Sequence, residues 1–340
     1  MQWGTNKWKS LEEAFYGCEN LKVTATDAPD LSGVHSISRI FSNAYLFNSN
    51  INHWNVSNVI DMSFAFGGAS RFNKPLSKWD TGNVLFMSGM FAYSTSFNQS
   101  IGRWDTSKVI NMSNMFNRAT QFNKPLNNWN TAKVLSFRSM FLMADKFNQP
   151  LNNWNTSKVK DMANMFWGNL EFNQPLHKWD ISSVKTLRGM FGKTYKFNQD
   201  LSGWDVSGAT NMQYMFTETR DFNSKIGNWD TRNVKNMNYM FFDTHSFNQN
   251  INNWKLLNLV SAEGMFRKAK AFNKALDQWK LPKLTNIAAM FMDAKAFNQD
   301  LSSWKLPSLE FFQLFRLGAS RWTNPPPFLK SRYRTVKQRK

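Results

Sequence analysis

The chain is poor in the residues that build disulfide-linked or metal-binding proteins. It has one cysteine, Cys18, and four histidines among 340 residues. A single cysteine excludes an intramolecular disulfide and a metal site made of cysteines. No run of about 18 apolar residues is present, so no membrane-spanning helix is predicted. Residues 1–8 also lack the apolar segment of a signal peptide, which leaves a cytoplasmic location open.

Acidic residues are scarce relative to basic ones. The sequence holds 42 Lys and Arg against 23 Asp and Glu, and residues 251–340 alone hold 17 basic and 5 acidic side chains. A field of this sign attracts nucleic acid, acidic glycans or anionic lipid. The alternative is a charged surface that only keeps the protein soluble.

What the chain does have is one 25-residue pattern repeated without insertion or deletion. Tryptophan marks it at Trp54, Trp79, Trp104, Trp129, Trp154, Trp179, Trp204, Trp229, Trp254, Trp279 and Trp304. A fixed period of this length is the signature of a stacked repeat protein. The predicted parts are an N-terminal variant or capping repeat at 1–40, a regular solenoid at 41–310, a degenerate C-terminal capping coil at 311–324 and a basic flexible tail at 325–340.

Within one copy, apolar residues spaced by three and four positions predict a short helix. They are Val109, Met112, Met115, Phe116 and Ala119. Asp105, just before them, is predicted to cap this helix. Residues 97–101 are predicted to form a strand that pairs between repeats in a parallel sheet. The expected fold class is therefore an α/β repeat solenoid with one short strand and one short helix per 25-residue repeat.

The strictest columns are predicted to be structural. Tryptophan is expected in the core, with a stacking platform for bases or sugars as the alternative. The Asn98 column is expected to pair with backbone groups at a turn, because an unpaired buried amide costs about 1–3 kcal/mol. Cys18 falls in a column of small residues and is expected to be a small buried hydrophobe.

No catalytic constellation is visible in the sequence. The four histidines fall in four different repeat columns, so they do not converge as metal ligands. A partial acidic column, with Asp105 as a typical member, is compatible with Ca²⁺ but is better explained by capping. Phosphate-binding loops and nucleophile motifs are missing. We therefore predict a protein that is not an enzyme and that uses no metal or cofactor.

Basic residues in three variable columns form the predicted binding surface. The columns hold Lys78, Arg103 and Lys178, then Lys108, Lys133 and Lys158, and then Lys255, Lys280 and Lys305. Tyr93 is a further candidate. The expected function is a scaffold that binds protein or glycan without chemistry. The alternative is binding of a polyanion, nucleic acid or acidic glycan, through the basic C-terminal third.

The repeat also resembles that of a known family. Its pattern is Met-Phe-x-x-Ala-x-x-Phe-Asn-Gln-x-Leu-x-x-Trp-Asp-x-Ser-x-Val-x-x-Met, and residues 2–8 and 26–31 are similar to the opening of the same family. This is the BspA-type leucine-rich-repeat surface-protein family, specifically its mycoplasma-type 25-residue lipoprotein repeat. The resemblance implies a right-handed leucine-rich-repeat-like coil, a place on the bacterial cell surface or outside the cell, and a role in adhesion.

Overall fold

The computed structural model describes residues 2–323 together with Pro326 and Leu329. They fall into two units, Met1–Val184 and Lys185–Lys340. In each unit the 25-residue copies follow one another as coils that are joined by backbone hydrogen bonds. The predicted repeat organisation is therefore present. The predicted basic tail lies outside the described residues, apart from Pro326 and Leu329.

The predicted α/β fold class, a leucine-rich-repeat-like coil with a strand and a helix in each repeat, is wrong. Residues 2–323 contain no helix, and their pairing consists of isolated parallel bridges. The bridges run along one column, Ser36–Asp61–Phe86–Asn111–Ser136–Asp161 in the first unit and Thr186–Asn211–Asn236–Ser261–Asn286–Phe311 in the second, with one more between Lys7 and Asp30. The predicted strand at 97–101 has no bridge.

The predicted helix is instead a series of tight turns. The N–H of Met115 donates to the carbonyl of Met112 at 3.3 Å, and that of Ala119 donates to Phe116 at 3.0 Å, bonds that close four-residue turns. Between these turns the N–H of Phe116 donates to Met140 in the next coil. The first and fourth residues of each turn are buried. Their spacing of three therefore comes from successive turns and imitates the period of a helix.

Tryptophan and phenylalanine columns fill the core. The eleven periodic tryptophans are 2–5% exposed. The indole N–H of Trp129 donates to the carbonyl of Ile101, 28 residues earlier, at 3.1 Å. Phe91 stacks on Phe97 within its coil at 3.9 Å and on Phe116 of the next coil at 5.8 Å between ring centroids. Rings this deeply buried offer no platform to a ligand, so the core prediction for tryptophan is confirmed.

Side chains complete the hydrogen bonding between coils where the backbone cannot. The Asn123 side-chain oxygen accepts the N–H of Asn148 at 3.1 Å and the amide of Gln149 at 2.9 Å. The Thr106 hydroxyl, which is buried, donates to the carbonyl of Asn130 at 3.0 Å. The asparagine column thus pairs with backbone groups, as predicted.

Two local predictions change in the structure. Asp105 caps a turn and not a helix, because its carboxylate accepts the N–H of Ser107 at 2.9 Å. That backbone bond, followed by one from the Ser107 hydroxyl, lowers the pKa of Asp105. Cys18 is exposed, so its predicted burial is wrong. The first coil is covered on one side only, whereas Ala44 in the same column lies between two coils and is buried.

Candidate interaction surface

All nine predicted basic residues are exposed. None of them forms an ion pair with another residue in the described part of the chain. The Lys108 ammonium donates to the side-chain oxygen of Asn83 in the preceding coil at 2.7 Å. The column Lys108, Lys133 and Lys158 therefore follows the stack of coils in the first unit, with one of its charges already solvated by an amide.

The C-terminal lysine column forms a cleft in the second unit. Lys280 and Lys305 line a cavity of about 460 Å³ together with Trp279, Pro282 and Pro307. Asp277 also lines it, but its carboxylate accepts hydrogen bonds from Asn252 at 2.8 Å and Gln278 at 2.9 Å. Two lysines without an acidic partner thus face a partly apolar cleft.

At Lys280 and Lys305 a paired substitution explains how lysine replaces aspartate, whereas Lys255 is followed by Leu257 at the paired position. Two coils before Lys280, the N–H of Arg232 donates to the Asp230 carboxylate two residues earlier at 3.2 Å. Lysine cannot accept such a bond. At Lys280 and Lys305 the residue two positions later is proline, which has no N–H to satisfy. The turn is therefore kept while the charge of the column is reversed.

Arg103 lines a separate cavity in the first unit. This cavity is about 580 Å³ and includes Trp104, Pro125 and Asn127 in its wall. Trp104 is 4% exposed, and its indole N–H already donates to the carbonyl of Leu76 at 3.0 Å. Lys78 and Lys178, the other members of the Arg103 column, are not part of this wall. Of the nine predicted basic residues, only Arg103 therefore lines this cavity.

A tyrosine-lined cleft in the first unit is the feature that sequence reasoning largely missed. Its volume is about 520 Å³, and Tyr45 and Tyr93 stand in its wall with 45% and 51% of their surface exposed. Gly67 and Gly68 also line it. In the adjoining coils the column of Gly68 holds Asn43 and Tyr93, and a Cβ on Gly68 would lie 2.3 Å from the Asn43 side-chain oxygen, so only glycine leaves room for that side chain. In the sequence, the Gly67-Gly68 pair could have indicated the cleft, whereas Tyr93 was the only residue of its wall that was predicted to bind a partner.

One arginine and two hydrogen bonds contact the residues that line the cleft. The Arg118 guanidinium lies 5.5 Å from the centre of the Tyr93 ring. The Asn43 amide donates to the Tyr16 hydroxyl at 3.1 Å, and the Ser70 hydroxyl donates to the Tyr45 carbonyl at 3.2 Å. Tyrosine and arginine on an ordered surface are typical of protein-binding sites.

In residues 2–323, Pro326 and Leu329 no group of three His, Cys, Asp or Glu side chains is placed to hold a metal ion. The same residues contain no helical segment with the length and apolar character needed to cross a membrane.

Coils with a buried aromatic core and variable outward columns define a tandem-repeat protein. A protein-family model agrees with this class in five overlapping matches, at residues 9–127, 78–167, 113–228, 149–253 and 210–316. The model is described as "Mycoplasma protein of unknown function, DUF285". The chain belongs to this family.

Other comparisons add little to this assignment. No curated protein matches the sequence. Among solved structures, a Toll–Spatzle complex of Drosophila shares 9% identity at a TM-score of 0.30, over 80% of this chain and 37% of that one. The plant peptide hormone receptor RGFR1 in complex with RGF2 shares 10% at a TM-score of 0.18, over 79% and 51%. The chain thus spans about a third to a half of these proteins, and at such scores the likeness carries no argument.

Proposed function

We propose that this protein is a non-enzymatic scaffold that binds protein or glycan, with the Tyr45–Tyr93 cleft as its principal contact. The cleft carries the proposal because two half-exposed tyrosines flank it, in a chain whose periodic aromatic residues are otherwise buried. Tyrosine offers a large, rigid contact area and a hydroxyl at little entropic cost. Both protein side chains and sugar rings are recognised by such a surface.

The cellular role we propose is adhesion at the surface of a bacterial cell. The support is the repeat pattern, which resembles the BspA-type and mycoplasma lipoprotein repeats, together with membership of a mycoplasma family. Further contacts are proposed from the exposed basic residues of the same unit, which are Lys78, Arg103, Lys108, Lys133, Lys158 and Lys178. A protein with this role needs no cofactor.

Binding to immobilised extracellular-matrix proteins and to a glycan array tests the proposal. A variant with Tyr45→Ala and Tyr93→Ala is expected to lose about tenfold or more in affinity, since tyrosines that a partner buries on binding are frequent hot spots. Leu135→Ala is the matched control, because Leu135 is similarly exposed at 47% but does not line the cleft. Binding that both variants retain equally, or no binding to either panel, would reject the cleft as the contact.

A second candidate function is polyanion binding by the C-terminal lysine cleft. Lys280 and Lys305 face one cavity without an acidic partner, and Lys255 precedes them in the same column. An extended anion that follows the column would meet one ammonium group in each coil. This arrangement suits a linear chain of negative charges better than it suits a single small anion.

Salt dependence separates this candidate from the first. Binding to heparin or to single-stranded DNA through several lysines should fall by orders of magnitude between about 50 and 200 mM salt. Lys280→Gln with Lys305→Gln should weaken it further, whereas the exposed lysines Lys160 and Lys235, changed in the same way, should have a smaller effect. Equal losses in the two double variants would indicate binding by net charge alone.

A further inference from the structure

The first described coil leaves backbone acceptors unused. Inside the first unit, the N–H groups of each coil donate to carbonyls of the next. Thus the N–H groups of Glu13, Phe15 and Gly17 donate to Ser38, Ile40 and Ser42, at 3.0, 3.0 and 2.8 Å. The first-coil carbonyls in the accepting column are those of Glu12, Ala14 and Tyr16. They have no donor among the described residues, and all three residues are exposed.

The last described coil leaves backbone donors unused. Its carbonyls at Gln313, Phe315 and Leu317 accept the N–H groups of Ala289, Phe291 and Asp293, at 2.8, 2.8 and 2.7 Å. The donating column of this coil is Leu314, Arg316 and Gly318. None of these three N–H groups has an acceptor among the residues that the structure describes. The two terminal coils therefore expose complementary halves of one hydrogen-bond pattern.

Apolar side chains accompany the unused donors. Phe311, Leu314 and Leu317 are 49%, 52% and 54% exposed, and all three lie along the edge that carries the free N–H groups. An edge with unpaired backbone groups and exposed apolar residues is a template for pairing with another chain. Elsewhere in the same unit the corresponding backbone edge is covered by the following coil.

We propose that the last coil of one copy of this chain stacks on the first coil of a second copy. The N–H groups of Leu314, Arg316 and Gly318 donate to the carbonyls of Glu12, Ala14 and Tyr16 of the second copy. The same register joins successive coils within each unit. There the N–H of one residue donates to the carbonyl of the residue 24 positions later, as Phe291 donates to Phe315. The contact needs no new backbone conformation.

Side chains in matching columns agree with this register. Leu317 falls in the column of Tyr16, so two exposed apolar groups meet. Glu310 falls in the column of Lys9, so opposite charges meet, and both residues are exposed. Side chains of one column do bond between adjacent coils, as Asn252 and Asp277 show at 2.8 Å. Because the two contacting surfaces differ, the association is head-to-tail and each pair leaves one free end of each kind.

Sedimentation velocity of the full chain over a range of concentrations tests this proposal. The wild type is expected to associate progressively. Leu317→Asp blocks the last coil and Tyr16→Asp blocks the first, so each variant alone is expected to be monomeric, with its dissociation constant raised about tenfold or more. An equimolar mixture of the two variants retains one good surface of each kind and is expected to form a dimer that grows no further.

Controls keep the outcome interpretable. Leu135→Asp changes an equally exposed leucine away from both terminal coils and should associate like the wild type. Circular dichroism spectra that match the wild type show that the variants are folded. A wild type that stays monomeric at every concentration, single variants that still dimerise, or a mixture that remains monomeric while the wild type associates would each overturn the head-to-tail contact.

Discussion

Asn98, Asn123 and Asn148 in successive coils form an asparagine ladder, in which each side-chain oxygen accepts the N–H of the next asparagine. Removing one asparagine from this ladder tests how far side chains replace backbone pairing in this protein. Asn123→Ala deletes the oxygen that accepts the N–H of Asn148 and the side-chain amide of Gln149, at 3.1 and 2.9 Å. The N–H of Asn123 itself still donates to Asn98 at 3.0 Å. The substitution therefore unpairs one backbone donor and one side-chain donor in the next coil.

The expected loss follows from the burial of these groups. An unpaired buried donor costs about 1–3 kcal/mol, and because Asn123 and Asn148 are half-buried we expect a loss of about 1–2 kcal/mol in the free energy of unfolding. Asn123→Asp keeps an acceptor in the same place and should lose much less. Asn128→Ala changes an exposed asparagine of the same coil that makes no hydrogen bond to the described residues, and should stay within about 0.5 kcal/mol of the wild type.

Urea denaturation followed by tryptophan fluorescence gives the change in stability, and hydrogen exchange at the Asn148 amide locates it. Exchange of that amide should become about tenfold faster for each 1.4 kcal/mol lost. Equal losses in the Ala and Asp variants would show that the acceptor oxygen is not the source of the stability at Asn123. A loss in Asn128→Ala as large as in Asn123→Ala would refute the ladder as a specific source of stability.

Three further predictions concern single side chains. Gly89→Ala should cost about 1–3 kcal/mol of stability in a thermal melt, because a Cβ would lie 2.2 Å from the Phe64 ring, whereas Gly203→Ala meets no atom within 4 Å and should cost little. Asn169→Ala should lower the free energy of unfolding by about 1 kcal/mol in urea, because the side-chain oxygen of the buried Asn169 accepts the N–H of Phe172 at 3.1 Å and alanine leaves that donor unpaired. Burial and then a hydrogen bond to Glu263 raise the pKa of Tyr239 to about 12 from an ordinary 10.0. The stability that Tyr239 contributes is thus full below pH 10.0 and lost as pH rises towards about 12, and absorbance titration should show one late tyrosine that Tyr239→Phe removes.

The repeat and its core were predictable because buried residues recur with the period of the coil. Trp129 and Phe116 stack on the same residue types in neighbouring coils. The same residue type must therefore recur at this position in each coil, and that recurrence is visible in the sequence. The turns were not predictable in the same way. Asn114 and Arg118 have positive φ values of 59° and 58°. Glycine occurs in their columns, as at Gly89 and Gly68, but most coils hold other residues there, which weakens the turn signal. A spacing of three between buried positions then favours a helix when only the sequence is considered.

The candidate surface was predictable only in part. The exposure of the basic columns followed from their variability, and the replacement of aspartate by lysine was visible at Lys280. The Tyr45–Tyr93 cleft is lined by the pair Gly67-Gly68, which occurs in one coil, although Gly168 and Gly318 share the column of Gly68. A site that depends on the difference between one coil and its neighbours appears only when the coils are stacked.

The central structural claim is that turns and side-chain ladders, not helices, build each coil. Far-ultraviolet circular dichroism of the full chain at neutral pH tests it directly. We predict a spectrum without the double minimum of an α-helix, because residues 2–323 contain no helix. A strongly helical spectrum would contradict the turn-built coil and restore the helix in each repeat.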